Sequence, residues 1–291
     1  MRHVEHAMGT VFSFDIRDFD AQHTGDRNLG TTAGDPATRS ACDGTENATV
    51  EAAVAEAVAW LHWVDATFST YRPDSPVSRL GRGEIGLADC PPEVAEILGR
   101  CAEAAEATRG YFTAYPGGRL DPAGMVKGWA IDRASDILIR AGAVNHCVNG
   151  GGDVQLSGTA GPGRPWRVGV AHPSRPGALA AVVESPYRHA GGRFAVATSG
   201  TAERGPHILD PHTGRPASAL ASITLTGPSL TMTDAYATAA FAMGDAAMDW
   251  VTGPAGVEAF AVTASGGTWR TPGFPLAEPA ELAAGTPRPR A

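Results

Sequence analysis

Apolar and polar residues alternate over Val11–Ile16 (VFSFDI), the period-2 pattern of a half-buried strand. The pattern then stops. Residues 17–47 are rich in Gly, Thr, Asp and Asn without periodicity, which predicts a long polar loop inserted before the first helix. From Val50 to Phe68, Ala, Val, Leu and Trp recur at spacings of three and four, as on a helix with one buried face. A second helix is predicted from Pro92 to Thr108, begun by Pro91 and Pro92 and ended at Gly110. A third runs from Val126 to Ala141 and stops near Gly142. The second half changes character. Short apolar runs at 146–148, 154–156, 166–170, 180–183, 194–198 and 222–226, parted by Gly and Pro turns, predict strands. One helix, Asp234–Met243, interrupts them, and two further strands are predicted at Glu258–Thr263 and Thr268–Thr271. A Pro/Ala-rich tail over 278–291 is expected to fray. Strands and helices mixed without strict alternation predict an α+β fold. Neither a repeat nor a linker interrupts 1–277, which reads as one domain.

Composition narrows the function classes. The 291 residues include 31 acidic and 23 basic side chains, a formal net charge of −8. Nucleic-acid affinity rests on clustered Lys and Arg, so that class is set aside. An anionic substrate would then require a metal or a few local cations. Cys42, Cys90, Cys101 and Cys147 form no CxxC pair, which argues against a zinc ribbon or a thioredoxin-type site and for inert thiols. The start, MRHVEHAMGTVFSFDI, has no apolar core of signal-peptide length, and no stretch approaches the ~18–20 continuous apolar residues that span a bilayer. The expectation is a soluble cytoplasmic protein with no membrane partner.

Several familiar motifs are missing. There is no GxxxxGKS/T phosphate loop, ATSGT lacks the leading Gly of a nucleophile elbow at Ser199, and His3 and His6 do not form HExxH. Four segments remain. In DPAGMVKGWAID (Asp121–Asp132), a turn leads into a helix with Lys127 near its start, either an anion-binding helix terminus or an ordinary one with a solvated lysine. In VNGGGDV (Val148–Val154), the glycines either let the backbone approach a ligand or simply make a turn that Asp153 braces. In ATSGTAERGPHILDPHTGRP (Ala197–Pro216), His207 is a candidate proton carrier or a structural histidine bonded to a backbone carbonyl. A zinc site from His207, Asp210 and His212 is disfavoured by Pro211 and the surrounding turn. In TMTDAYATAAFAM (Thr231–Met243), Asp234 and Thr238 are four apart and share a helix face, a hard-oxygen pair suited to Mg²⁺. The alternative is that Asp234 caps the helix and Thr238 packs inside.

In this order, together with MGT at Met8–Thr10 and FSTYRPDSPVSRL at Phe68–Leu80, these segments resemble the FAD:protein FMN transferase (ApbE) family. The resemblance covers most of the chain and is nearest to the shorter, leaderless actinobacterial-type members. It implies an ApbE-like, T-fold-related α+β architecture: mixed, largely antiparallel sheets packed with helices, with FAD in a central cleft. It also implies Mg²⁺ on the FAD diphosphate and transfer of FMN to a Thr or Ser hydroxyl of an acceptor protein, releasing AMP. The metal ligands it implies are Asp234, Thr238 and the Gly124 carbonyl. His207 matches the proposed acid/base, with Asp234 counted beside it as catalytic. Implied FAD-binding positions are Met8, Phe112, Thr113, Lys127, Asp153, Ser199, Ile208 and Leu209.

One departure stands out. The family's GxFDP reads Gly110-Tyr111-Phe112-Thr113-Ala114 here, so Thr113 replaces an expected FAD-contacting carboxylate. The 17–47 insertion also lies outside the family pattern. Two other functions share the same residues: an FAD pyrophosphatase, in which water replaces the acceptor, and a non-catalytic FAD carrier.

Overall fold

The sheet begins at the N-terminus, earlier than the hydrophobic pattern suggested. Strand β1 (Arg2–Ala7) pairs antiparallel with β2 (Thr10–Ile16) across a two-residue turn in which Met8 and Gly9 both have positive φ, 51° and 70°. Positive φ at both central positions is the hairpin geometry that matches strand twist. β1 reads RHVEHA, polar on both faces, and sits at the sheet edge where neither face needs an apolar row. His3 and His6 therefore lie in a strand.

The computed structural model describes residues 1–17, 36–202 and 205–277, with only the backbone over 36–47. Residues 18–35 of the predicted loop and the predicted tail at 278–291 lie outside the described residues. Helix α1 spans Pro36–Phe68, so the loop expectation fails from Pro36 onward. That added stretch has Pro at its first position but is mostly weak helix formers (Thr, Ser, Asp, Asn and Gly44) with no apolar stripe, so neither propensity nor periodicity could reveal it.

After α1 come α2 (Pro76–Gly81), α3 (Pro92–Ala107) and α4 (Ala123–Arg140). Strands β3 (His146–Gly150), β4 (Asp153–Ser157), β5 (Arg167–Ala171), β6 (Leu179–Glu184) and β7 (Arg193–Gly200) follow. The remainder comprises β8 (Leu209–Asp210), β9 (Arg215–Pro216), β10 (Leu220–Gly227), α5 (Leu230–Met243), α6 (Ala247–Trp250), β11 (Glu258–Thr263) and β12 (Thr268–Arg270). The short elements α2, α6, β8 and β9 were not anticipated, being too brief to carry a period.

Eight strands form one antiparallel sheet in the order β1-β2-β3-β4-β7-β10-β11-β12, while β5–β6 and β8–β9 are separate hairpins. The fold is thus α+β with helices on an antiparallel sheet, as expected. Among the described residues, no helix is long and apolar enough to cross a membrane.

Alternation along the central strands creates two unequal cores. Val154, Leu156, Phe194, Val196, Phe260 and Val262 point away from the helices and are covered by the β5–β6 hairpin and Phe274. The helix-facing positions of β7 and β11 are small: Ala195, Ala197, Ala259 and Ala261. Over β7 and the neighbouring β10 packs α5, itself rich in alanine and buried on nearly every side. An all-round apolar helix lacks a polar face to mark its limits, and α5 starts at Leu230, before the expected Asp234. The described thiols are free, and burial pushes those of Cys101 and Cys147 up to about 12, which makes them inert.

Candidate active site

The segments around Met8, Gly151 and Asp153 meet at one end of the sheet. The Met8–Gly9 turn and the Gly151–Gly152 turn are neighbours, because β2 pairs with β3 through Phe12 opposite Gly150 and the Gly151 N–H donates to the Val11 carbonyl at 3.2 Å. A Cβ on Gly150 would come within 2.6 Å of the Phe12 ring, so glycine is required there by close packing. Asp153, the first residue of β4, lies at the same end. Its Oδ1 accepts the Thr198 N–H at 2.8 Å, fixing the carboxylate against β7.

β4 is unusual in directing a polar row, Asp153 and Gln155, toward the helices while Val154 and Leu156 fill the opposite core. The helices that receive this row are α4 and α5. Asp121 starts α4 by accepting the Ala123 N–H on Oδ1 at 3.1 Å. Gly124, Gly128 and Asp132 then recur every four residues along the α4 face that meets α5. The two helices run in opposite directions: a Cβ on Gly124 would lie 4.0 Å from Thr238 Oγ1, and one on Gly128 would lie 3.1 Å from Asp234 Cβ and only 2.5 Å from the Leu230 carbonyl oxygen. Glycine at 128 is what allows this approach.

Between the helices, Lys127 bridges two buried carboxylates. Its ammonium bonds Asp153 Oδ2 and lies 3.6 Å from Asp234 Oδ2. Asp234 is 4% exposed, and its Oδ2 has no hydrogen-bond partner although the Gly128 N–H serves the carboxylate. Burial pushes the Asp234 pKa up to about 7; Lys127 opposes that shift, and the Asp153 charge adds to it. Two carboxylates facing one ammonium leave a negative imbalance in a desolvated place. A buried carboxylate oxygen without a partner, with the half-buried Thr238 one turn along α5 and Gly124 of α4 facing it, offers hard oxygens of the kind Mg²⁺ takes, since that ion keeps few protein ligands. Among the described residues, no group of three His, Cys, Asp or Glu side chains is arranged to hold a metal. The fit therefore rests on the orphaned oxygen and not on a carboxylate cage.

The helix-capping alternative for Asp234 fails, because α5 begins four residues earlier, at Leu230. Its first turn is capped from outside: Gln155 Oε1 accepts the Leu230 N–H at 2.9 Å and Asp132 Oδ2 accepts the Thr231 N–H at 2.8 Å. Neither Gln155 nor Asp132 was singled out from the sequence. Asp132 stood at the end of a quoted motif, and its four-residue spacing from Gly128 was the available signal.

The histidine segment is differently built. His207 is exposed, with Nδ1 3.0 Å from the Gly205 carbonyl oxygen. Ile208 and Leu209 are half-buried, and the Ile208 carbonyl accepts the Ala217 N–H at 3.0 Å. Asp210 spends both oxygens on its own turn, taking the His212 N–H and the Thr213 hydroxyl, each at 2.9 Å, which leaves it unsuited to a zinc site. The His212 ring lies edge-on to Tyr111 at 4.5 Å, joining this segment to the Gly110–Thr113 stretch. There Thr113 Oγ1 accepts the Tyr115 N–H at 3.0 Å. Phe112 is 2% exposed and sits beneath Gly124, so as the site stands its ring offers little surface to a ligand. Ser199 is buried on the helix-facing side of β7, and Met8 is half-buried in its strained turn.

The ApbE family matches residues 8–116 and 113–261, and the chain belongs to that family. A protein named FAD:protein FMN transferase from Rhodobacter capsulatus is 31% identical over 198 residues, 64% of this chain and 38% of the relative. One of the same name from Vibrio cholerae is 33% identical over 135 residues, 43% of this chain and 39% of the relative. The chain thus spans about two-fifths of the length of these curated relatives. In fold it is similar to the crystal structure of the ApbE protein from Thermotoga maritima, at TM-score 0.72 and 22% identity, covering 94% of this chain and 97% of that one. The flavin transferase ApbE from Vibrio cholerae is similar at TM-score 0.69 and 19% identity, covering 93% and 96%.

Proposed function

We propose that the chain transfers the FMN half of FAD to a Thr or Ser hydroxyl of an acceptor protein, with Mg²⁺ as cofactor and AMP as the leaving product. The observation that carries the reading is the buried Asp234 oxygen without a hydrogen-bond partner, set near Lys127, Thr238 and Gly124. The names of the relatives support the donor and the kind of acceptor.

In this reading, Asp234, Thr238 and the Gly124 carbonyl hold the metal. Mg²⁺ bound there supplies Lewis-acid neutralisation of the diphosphate. Lys127, braced by Asp153, adds a positive charge beside the same phosphates in an otherwise acidic protein. The acceptor oxygen forms a bond to the FMN phosphorus while the phosphoanhydride bond to AMP breaks. His207 takes the hydroxyl proton. Its Nδ1 faces a carbonyl, which can only accept, so that nitrogen carries the hydrogen and Nε2 is the basic one. Its exposure suits a group that must meet a protein-borne hydroxyl. Met8, Thr113, Ser199, Ile208 and Leu209 would line the flavin nucleotide. For the buried Phe112, a direct contact requires the neighbouring segment to shift.

The test is incubation with FAD, Mg²⁺ and candidate acceptor proteins, followed by denaturing electrophoresis. Flavin fluorescence that stays with the acceptor band is the expected result. Free FMN and AMP formed without any acceptor would instead mark a pyrophosphatase, and FAD binding without AMP release would mark a carrier.

A further inference from the structure

We infer that Asp132 is a positioning residue for the metal site: it locks the register of α5 on α4 and so holds Asp234 and Thr238 opposite Gly128 and Gly124. The inference rests on the metal reading given above.

The geometry begins with a concentration of donors. Asp132 is 6% exposed, and its Oδ2 accepts the Thr231 N–H at 2.8 Å, the Thr231 hydroxyl at 2.5 Å and the Ser229 hydroxyl at 2.5 Å. Its Oδ1 accepts from Arg193 at 3.0 Å, and Arg193 in turn bonds Asp136 one helical turn further along α4. A single α4 carboxylate therefore gathers three donors from the start of α5 and is itself held by an arginine of β7. Ser229, at the N-cap position, makes no side-chain cap of its own and donates to Asp132 instead. Charge-assisted bonds of this kind are strong and geometrically demanding in a buried setting.

The consequence follows from helical repeat. Gly124, Gly128 and Asp132 lie at successive four-residue steps on one α4 face, and their α5 partners are Thr238, Asp234 with Leu230, and Ser229 with Thr231. Fixing the last pair fixes the other two, because α5 is a continuous helix from Leu230 to Met243. The remaining α4–α5 contacts cannot set that register alone. They are close glycine-to-backbone packing, alanine-rich packing, and the Gly128 N–H and Lys127 ammonium that face Asp234 itself and so belong to the site being placed. Gln155 adds a second tether by accepting the Leu230 N–H, but only from the sheet side. Asp132 is a tether between the two helices carrying the implied ligands that lies outside the site itself.

Asp132 touches no implied ligand directly, so its removal should act through placement. Loss of an outer partner bonded directly to a ligand costs about 10–100-fold in metal affinity, and displacing both ligand-bearing residues together is placed on the same scale. In the full chain, Asp132→Ala is expected to raise the Mn²⁺ concentration for half-saturation, read by electron paramagnetic resonance, by that factor. Thr231→Val, which removes one donor and leaves the carboxylate, is expected to fall between the two. Leu156→Ala, in the core on the far face of the sheet, serves as the control for simple destabilisation. It should lower the melting temperature while leaving Mn²⁺ half-saturation unchanged. The inference is overturned if Asp132→Ala binds Mn²⁺ like the unaltered chain, or if Leu156→Ala at matched loss of melting temperature weakens binding equally. An unaltered chain that binds no Mn²⁺ with FAD present would remove the metal reading itself, a result distinct from either of these.

Discussion

The α4–α5 wall and the segment carrying His207 are opposites in construction. In the wall, Asp234 and Asp153 are 4% and 1% exposed, Lys127 is shared between them, and Gly128 admits the neighbouring helix at backbone distance. Around His207 the side chain is exposed, its described hydrogen bond runs to a carbonyl two residues away, and the β8–β9 hairpin has two residues per strand. The contrast teaches a division of labour. A diphosphate and its metal need ligands placed in advance, which buried helices provide. A base that must reach hydroxyls borne by another protein has to stand where that protein can approach. On the proposed function, one region would hold the metal unaided and the other would await the acceptor protein.

The contrast breaks most sharply if the wall loses its carboxylate. Asp234→Ala is expected to abolish Mg²⁺-dependent AMP release, measured by chromatography with FAD as the donor; an undiminished rate would remove Asp234 from the metal site. His207→Ala should slow FMN transfer by about 10²–10⁴-fold while FAD affinity, followed by flavin fluorescence, stays nearly constant. Thermal stability should move by no more than about 0.5 kcal/mol, as for an exposed side chain. Equal loss of binding and transfer would make His207 structural. Gly128→Ala tests the wall from the other side. Its methyl would meet the Leu230 carbonyl oxygen at 2.5 Å, and overpacking of this kind costs about 1–3 kcal/mol. Calorimetry should register that loss, together with weakened Mg²⁺ dependence.

A further effect is one of pH. The Asp234 pKa is raised from 3.8 to about 7, so the metal-free folded chain keeps a proton that the unfolded chain releases. Its contribution to stability is full below 3.8 and is lost as pH rises through about 7. Asp234→Asn lacks that decline, so the melting curves of the two metal-free proteins should separate across this window, with the asparagine variant gaining as pH rises. Parallel curves would contradict the buried, proton-holding carboxylate.

What could be read from the sequence divides along the same line. The shared helix face of Asp234 and Thr238 was legible from four-residue spacing, which left the capping alternative open; only the family resemblance decided for a metal. The central strands were legible because Val154 and Leu156 or Phe194 and Val196 alternate with smaller or polar residues. Asp132 and Gln155 were not, since each acts on a segment distant in sequence, and nothing local marks an acid on α4 as a cap for α5. β1 was missed because an edge strand can be polar on both faces, and α5's start because a helix buried all round has no period. The burial of Phe112 beneath Gly124 likewise arises only once α4 is packed.

The central claim is that the α4–α5 wall holds the metal. Anomalous diffraction from crystals grown with Mn²⁺ and FAD tests it most directly. The account predicts a peak bounded by an Asp234 carboxylate oxygen, Thr238 Oγ1 and the Gly124 carbonyl, with the FAD diphosphate completing the shell. A metal peak elsewhere, with Asp234 still paired only to Lys127, would contradict it.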